Sequence, residues 1–164
     1  MTRYVIAAHV ENKYGVLARV TGMFMRKGFN IDSLTVGETE NPAYSRITVT
    51  LEGDDYAREQ LIFQLRKLYN VKNVVLLENG GVERELMLIK VRNTPENRRE
   101  VFSAAENYRG TVLDCTADNL CVEVTGAPAK ISAFVEAMKP FGILEMCRTG
   151  VAALERERTL TQNE

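Results

Sequence analysis

The sequence predicts an α+β protein built from two ferredoxin-like βαββαβ domains. Three observations carry that prediction. Strand-like and helical stretches follow the order β-α-β-β-α-β over residues 1–79, and the same order returns over residues 82–164. Between the two series lies Asn79-Gly80-Gly81, which reads as a short flexible linker. A length of 164 residues suits two small domains of roughly 80 residues each. No residue-by-residue repeat joins the halves, so the duplication is one of topology.

The first half opens with Arg3–Val10, rich in Val, Ile and Ala, a strand. Gly15 then precedes a helical pattern with Val16, Leu17, Val20 and Phe24 on one face. Gly28 stops that helix, as a C-terminal glycine does. Ile31–Glu38 reads as a strand with Ile31, Leu34 and Val36. Asn41-Pro42 marks a turn. Ser45–Glu52 sets Ile47, Val49 and Leu51 against Arg46, Thr48 and Thr50, the pattern of a half-buried strand. Gly53-Asp54-Asp55 offers N-caps for a second helix, whose inner face carries Leu61, Leu65 and Leu68. Val71–Leu77 reads as a buried strand.

The second half repeats the order. Glu85–Val91 is a strand. Thr94-Pro95 reads as an N-cap followed by proline at the first helical position, and the helix shows Val101, Phe102, Ala105 and Tyr108. Gly110–Thr116 and Leu120–Thr125 form a predicted hairpin turned by Ala117-Asp118-Asn119. Pro128 starts a helix with Ile131, Phe134, Val135 and Met138 on one face. Ile143–Leu154 is the last strand, and the tail from Glu155 is polar.

Composition excludes several classes of function. Apolar residues make up 45% and charged residues 26%, an ordinary globular balance. Net charge is −1, with 10 basic and 9 acidic side chains in residues 1–80 and 11 and 13 in the remainder. That argues against binding nucleic acid or an anionic membrane through bulk charge. The longest apolar runs, such as Tyr4–Ala8 and Val74–Leu77, are far below a membrane span, and His9 and Glu11 cut short any signal-like stretch. A cytoplasmic protein is expected. Cys115, Cys121 and Cys147 are odd in number with no CxxC pair, which points to reduced thiols.

Catalytic chemistry is sparse. His9 is the sole histidine, which excludes a triad or a His-rich metal site. It reads as a sheet-face residue before a base without a partner. Cys115 and Cys121 could face each other across the hairpin, but two thiols do not close a zinc site. Glu83-Arg84-Glu85 reads as a solvated face or a polar interface. Gly80-Gly81 lacks the spacing of a phosphate loop. RRM domains share this strand order, yet Tyr44–Leu51 carries no stacking aromatic inside the strand. No catalytic or metal-binding residue is assigned.

The informative segments are Glu11–Arg19 and Gly28–Gly37. The first joins a strand to a helix with Gly15 at the helix start. A helix N-terminus offers free N–H groups and partial positive charge to a carboxylate, and glycine lets a ligand approach the backbone. Asn12 and Asn30 can each donate and accept, as the carboxylate and ammonium of a free amino acid require. Val16, Leu17 and Ile31 could supply an apolar wall. The same residues also suit plain structure: Gly15 can simply make the turn and Asn30 simply end a loop.

Glu11-Asn12-Lys13-Tyr14-Gly15-Val16-Leu17-Ala18-Arg19-Val20 resembles the opening of an ACT domain, a small amino-acid-sensing module. Gly28-Phe29-Asn30-Ile31-Asp32-Ser33-Leu34-Thr35-Val36, followed by Ser45-Arg46-Ile47-Thr48, resembles the small regulatory subunit of acetolactate synthase (acetohydroxyacid synthase). So do Val82–Val91 and Arg148-Thr149-Gly150-Val151. The resemblance covers nearly the whole chain. It implies an ACT domain over residues 1–79, for effector binding and dimerisation, and a C-terminal ferredoxin-like domain over 82–164 that engages the catalytic subunit.

That resemblance implies a non-catalytic role. The family's catalytic subunit is a separate chain that carries thiamine diphosphate, magnesium and FAD, and no cofactor is expected here. The small subunit activates it and confers feedback inhibition by a branched-chain amino acid, commonly valine. The implied effector site lies across a homodimer axis. Asn12, Gly15, Val16 and Leu17 come from one chain, and Asn30, Ile31, Thr35, Val36 and Gly37 from the other. Strand 31–38 is expected at a sheet edge, where pairing with its twofold mate would continue the sheet. A generic ACT sensor serving another enzyme or regulator is the alternative.

Overall fold

The computed structural model describes residues 2–77 and 81–156. Asn79 and Gly80 of the expected linker, and the tail past Arg156, lie outside the described residues. The chain divides into two compact units. One runs to Val82 and takes in Val151 onward, and the other is Glu83–Gly150.

The first unit contains β1 (Thr2–Glu11), α1 (Val16–Arg26), β2 (Ser33–Glu38), β3 (Tyr44–Gly53), α2 (Asp55–Arg66) and β4 (Val71–Leu77). Its antiparallel sheet has the order β2-β3-β1-β4, which leaves β2 at an edge. Central β1 reads as a continuous apolar run because both of its faces are covered. Ile6, Ala8 and Val10 join the core with Val20, Phe24, Leu61 and Leu65 of the helices. Val5 and Ala7 point the other way, into a second cluster with Leu77, Val151 and Ala153.

That second cluster changes two readings. β3 is not half-exposed: Thr48 and Thr50, on its polar face, are only 3% and 2% exposed. Hydroxyls survive there because they are bonded; Thr50 Oγ1 and Ser33 Oγ lie 2.8 Å apart. The predicted last strand is also two strands, β8 (Ile143–Arg148) and β9 (Ala152–Leu154). Gly150, at φ 82, turns the chain between them.

α1 buries Val16, Val20, Met23 and Phe24, so Met23 takes the place predicted for Leu17, which is 41% exposed. It ends as predicted at Gly28. The Phe29 N–H bonds to the Phe24 carbonyl and the Gly28 N–H to that of Met25, a Schellman arrangement. Asp54 caps α2 by accepting from the Ala57 N–H at 2.7 Å.

The second unit contains most of β5 (Val82–Arg92), α3 (Arg98–Asn107), β6 (Thr111–Cys115), β7 (Asn119–Gly126), α4 (Pro128–Met138) and β8. Its strands run β6-β7-β5-β8. Met87, Ile89, Val91, Leu120, Val122 and Val124 face Val101, Ala105, Ile131, Phe134 and Met138 of the helices. Three expectations change here. Thr94-Pro95 forms a turn, with Thr94 and Asn97 bonding reciprocally, and the regular helix starts at Arg98. Glu85 is no solvated residue: it is buried and paired with Arg148. Cys115 pairs in register with Leu120 and Cys121 with Asp114, so the two thiols point to opposite sheet faces. No helix is long and apolar enough to cross a membrane among the described residues.

Candidate functional site

The strongest candidate site begins where β1 ends. Glu11 accepts hydrogen bonds or ion pairs from Lys72 (2.8 Å), Lys13 (3.1 Å) and the Asn70 amide (2.8 Å). Lys72 above all, then Asn70 and Lys13, hold its carboxyl at about 2, below the ordinary 4.5. Asn70 in turn accepts from Arg19 Nη1 at 2.7 Å and, through its carbonyl, from the Glu11 N–H. This network fixes both ends of the loop carrying Asn12 to Gly15. None of its members past Lys13 follows from sequence spacing, since Asn70 lies 59 residues from Glu11.

Gly15 sits at φ 78 as the N-cap of α1, and no side chain caps the helix. A Cβ added there would meet nothing within 4 Å. The N-terminus of α1 therefore has room for an approaching anion, with the Val16 N–H bonded to the Lys13 carbonyl at 3.3 Å. Asn12 is exposed, and its Nδ2 donates to Glu38 Oε1 and to the Pro42 carbonyl, each at 3.0 Å. Leu17 is exposed, whereas Val16 is buried in the core.

The other predicted residues lie on or before β2. Asn30 is exposed, Ile31 is half-buried against the core, and Thr35 is half-buried. Val36 is 43% exposed on the edge strand, and Gly37 has open space beside it. Register shows where they stand. Ser45 pairs with both Val10 and Glu38, and Thr50 with both Val5 and Ser33. The end of β2 thus lies with Asn12 and Gly15, and its start, with Asn30, lies at the opposite end of the sheet. Six residues of strand, roughly 20 Å, separate them. One chain sets Val36 and Gly37 at the Asn12 and Gly15 end and leaves Asn30 and Ile31 at the other.

His9 lies on the face of the first sheet away from the helices, its ring 4.8 Å from that of Tyr44. With Arg46, Asn73, Glu38 and Leu154 it lines a cavity of about 520 Å³. The sequence reading of His9 as a sheet-face residue agrees with this position. Among the described residues, no group of three His, Cys, Asp or Glu side chains is placed to hold a metal ion.

This βαββαβ unit is a ferredoxin-like domain with an uncapped glycine helix start and an edge strand. Residues 6–73 match the family model of the AHAS small subunit-like ACT domain, and residues 84–157 match that of the small subunit of acetolactate synthase. The chain is 47% identical to a probable acetolactate synthase small subunit of Archaeoglobus fulgidus, over 94% of this chain and 97% of that one. It is 44% identical to the acetolactate synthase small subunit of Bacillus subtilis, over 93% and 90%. The crystal structure of the Thermotoga maritima acetolactate synthase small subunit superimposes with a TM-score of 0.89 at 37% identity, covering 97% of this chain and 100% of that one. The chain belongs to the acetolactate synthase small-subunit family.

Proposed function

We propose that this chain regulates a separate acetolactate synthase catalytic subunit, activating it and making it sensitive to a branched-chain amino acid, with valine the first effector to test. The catalytic cofactors, thiamine diphosphate, magnesium and FAD, belong to that partner, and this chain does no chemistry itself. One observation carries the reading: Asn30 and Ile31 stand at one end of an edge strand, and Asn12 and Gly15 lie at its other end. If two copies pair antiparallel through β2, a twofold axis brings the start of one β2 beside the end of the other. Asn30 of the second copy then approaches Asn12 and Gly15 of the first. The effector's carboxylate faces the open helix N-terminus, its ammonium the asparagine carbonyls, and its side chain Leu17, Ile31 and Val36.

A ligand shared by two chains stabilises one arrangement of those chains over another. It shifts the equilibrium only by its differential affinity, and about 1–3 kcal/mol is enough for a useful switch. The test is acetolactate formation from pyruvate by the host's catalytic subunit alone, with this chain, and with this chain plus valine. Activation reversed by valine supports both roles. Activation without inhibition keeps the partnership and moves the search to leucine or isoleucine. No effect in any state overturns the reading and leaves an ACT sensor with another partner.

A further inference from the structure

We infer that Val151–Leu154 is a strap that braces the effector strand β2 from the back of its sheet. The bracing stands on geometry alone; the effector's part rests on the function proposed above.

The strap is docked, not draped. Val151 and Ala153 are 2% and 5% exposed, packed on Val5, Ala7 and Leu77. Two hydrogen bonds tie its backbone to the first sheet. The Val151 N–H donates to Ser33 Oγ at 3.3 Å, and the Ala153 carbonyl accepts from Arg46 Nη2 at 2.9 Å. Ser33 is the first residue of β2 and also bonds the buried Thr50 hydroxyl. An edge strand has one strand neighbour in its own chain, here β3. The strap therefore gives the start of β2, two residues before Thr35, a support that β3 does not supply.

Hydrogen exchange on the full-length chain tests this. Ala153→Asp places a carboxylate in the apolar cluster and should expel the strap. Ser33→Ala removes the acceptor for the Val151 N–H without disturbing that cluster. Both should raise exchange across residues 33–38 by about tenfold or more. Wild-type exchange at 33–38 in both variants would overturn the bracing; should Ala153→Asp not fold, Ser33→Ala decides it. Absence of valine binding to the wild type would instead sink the proposed function, and exchange at 33–38 would still decide the bracing.

Discussion

Replacing Gly15 with aspartate separates the cost to the fold from the cost to the ligand. Gly15 holds φ 78 and a Cβ there meets nothing within 4 Å, so the fold is charged only for the left-handed backbone. That is about 1 kcal/mol, or roughly 2–4 °C in Tm for a chain of this size. The ligand fares worse. An effector carboxylate at the start of α1 would lie about 4 Å from the new carboxylate, and two like charges at that distance cost about 4 kcal/mol at an effective dielectric of about 20. The dissociation constant for valine should rise by about three orders of magnitude. Gly15→Ala carries the same backbone strain without the charge, and its affinity should stay within about tenfold of wild type. Calorimetric titration of valine, with a melt on each variant, reads both effects. A folded Gly15→Asp protein that binds valine within about threefold of wild type refutes the placement of the carboxylate.

Other outcomes follow from the same geometry. Asn30→His should abolish valine inhibition of the reconstituted enzyme while leaving activation in place, because Asn30 is exposed and holds no part of the core; activity assays at increasing valine check it. Glu11, held at about 2 from an ordinary 4.5, stabilises the fold fully above pH 4.5, and that stability is lost as pH falls toward 2. Urea unfolding should therefore show Glu11→Gln weaker than wild type at pH 7, with the gap closing between pH 4.5 and 2. Phe134→Ala in the second core should cost about 3–5 kcal/mol by urea unfolding, since its ring is fully buried against Tyr108 and the sheet.

Much of the fold was legible because local signals and tertiary burial agree. Gly28 ends α1 through its positive φ, Asp54 caps α2, and Pro128 opens α4. The misreadings share one cause, a partner distant in sequence. Thr48 and Thr50 alternate like a solvated face, yet the chain's end covers that side. Leu17 fits the apolar stripe as well as Met23 does, and only the position of the sheet decides between them. Glu85 reads as a surface charge until Arg148 is beside it. At the candidate site, Gly15 and Asn12 were legible from the strand-to-helix join. The Glu11, Asn70 and Lys72 network and the tie from Asn12 to Glu38 were not, because no spacing rule relates residues that meet only across the sheet.

The burial of β1 on both faces bears on how the protein comes into being. Its inner face can close as soon as α1 and α2 have been made. Its outer face waits for residues made much later: Val151 reaches Ser33 across 118 positions, and Ala153 reaches Arg46 across 107. A nascent chain stalled near Gly81 holds all four strands of the first sheet with Val5, Ala7 and Leu77 uncovered, an adhesive apolar patch. The first unit to be synthesised is thus the last to be sealed, and a fragment cut between the two halves would inherit that patch permanently.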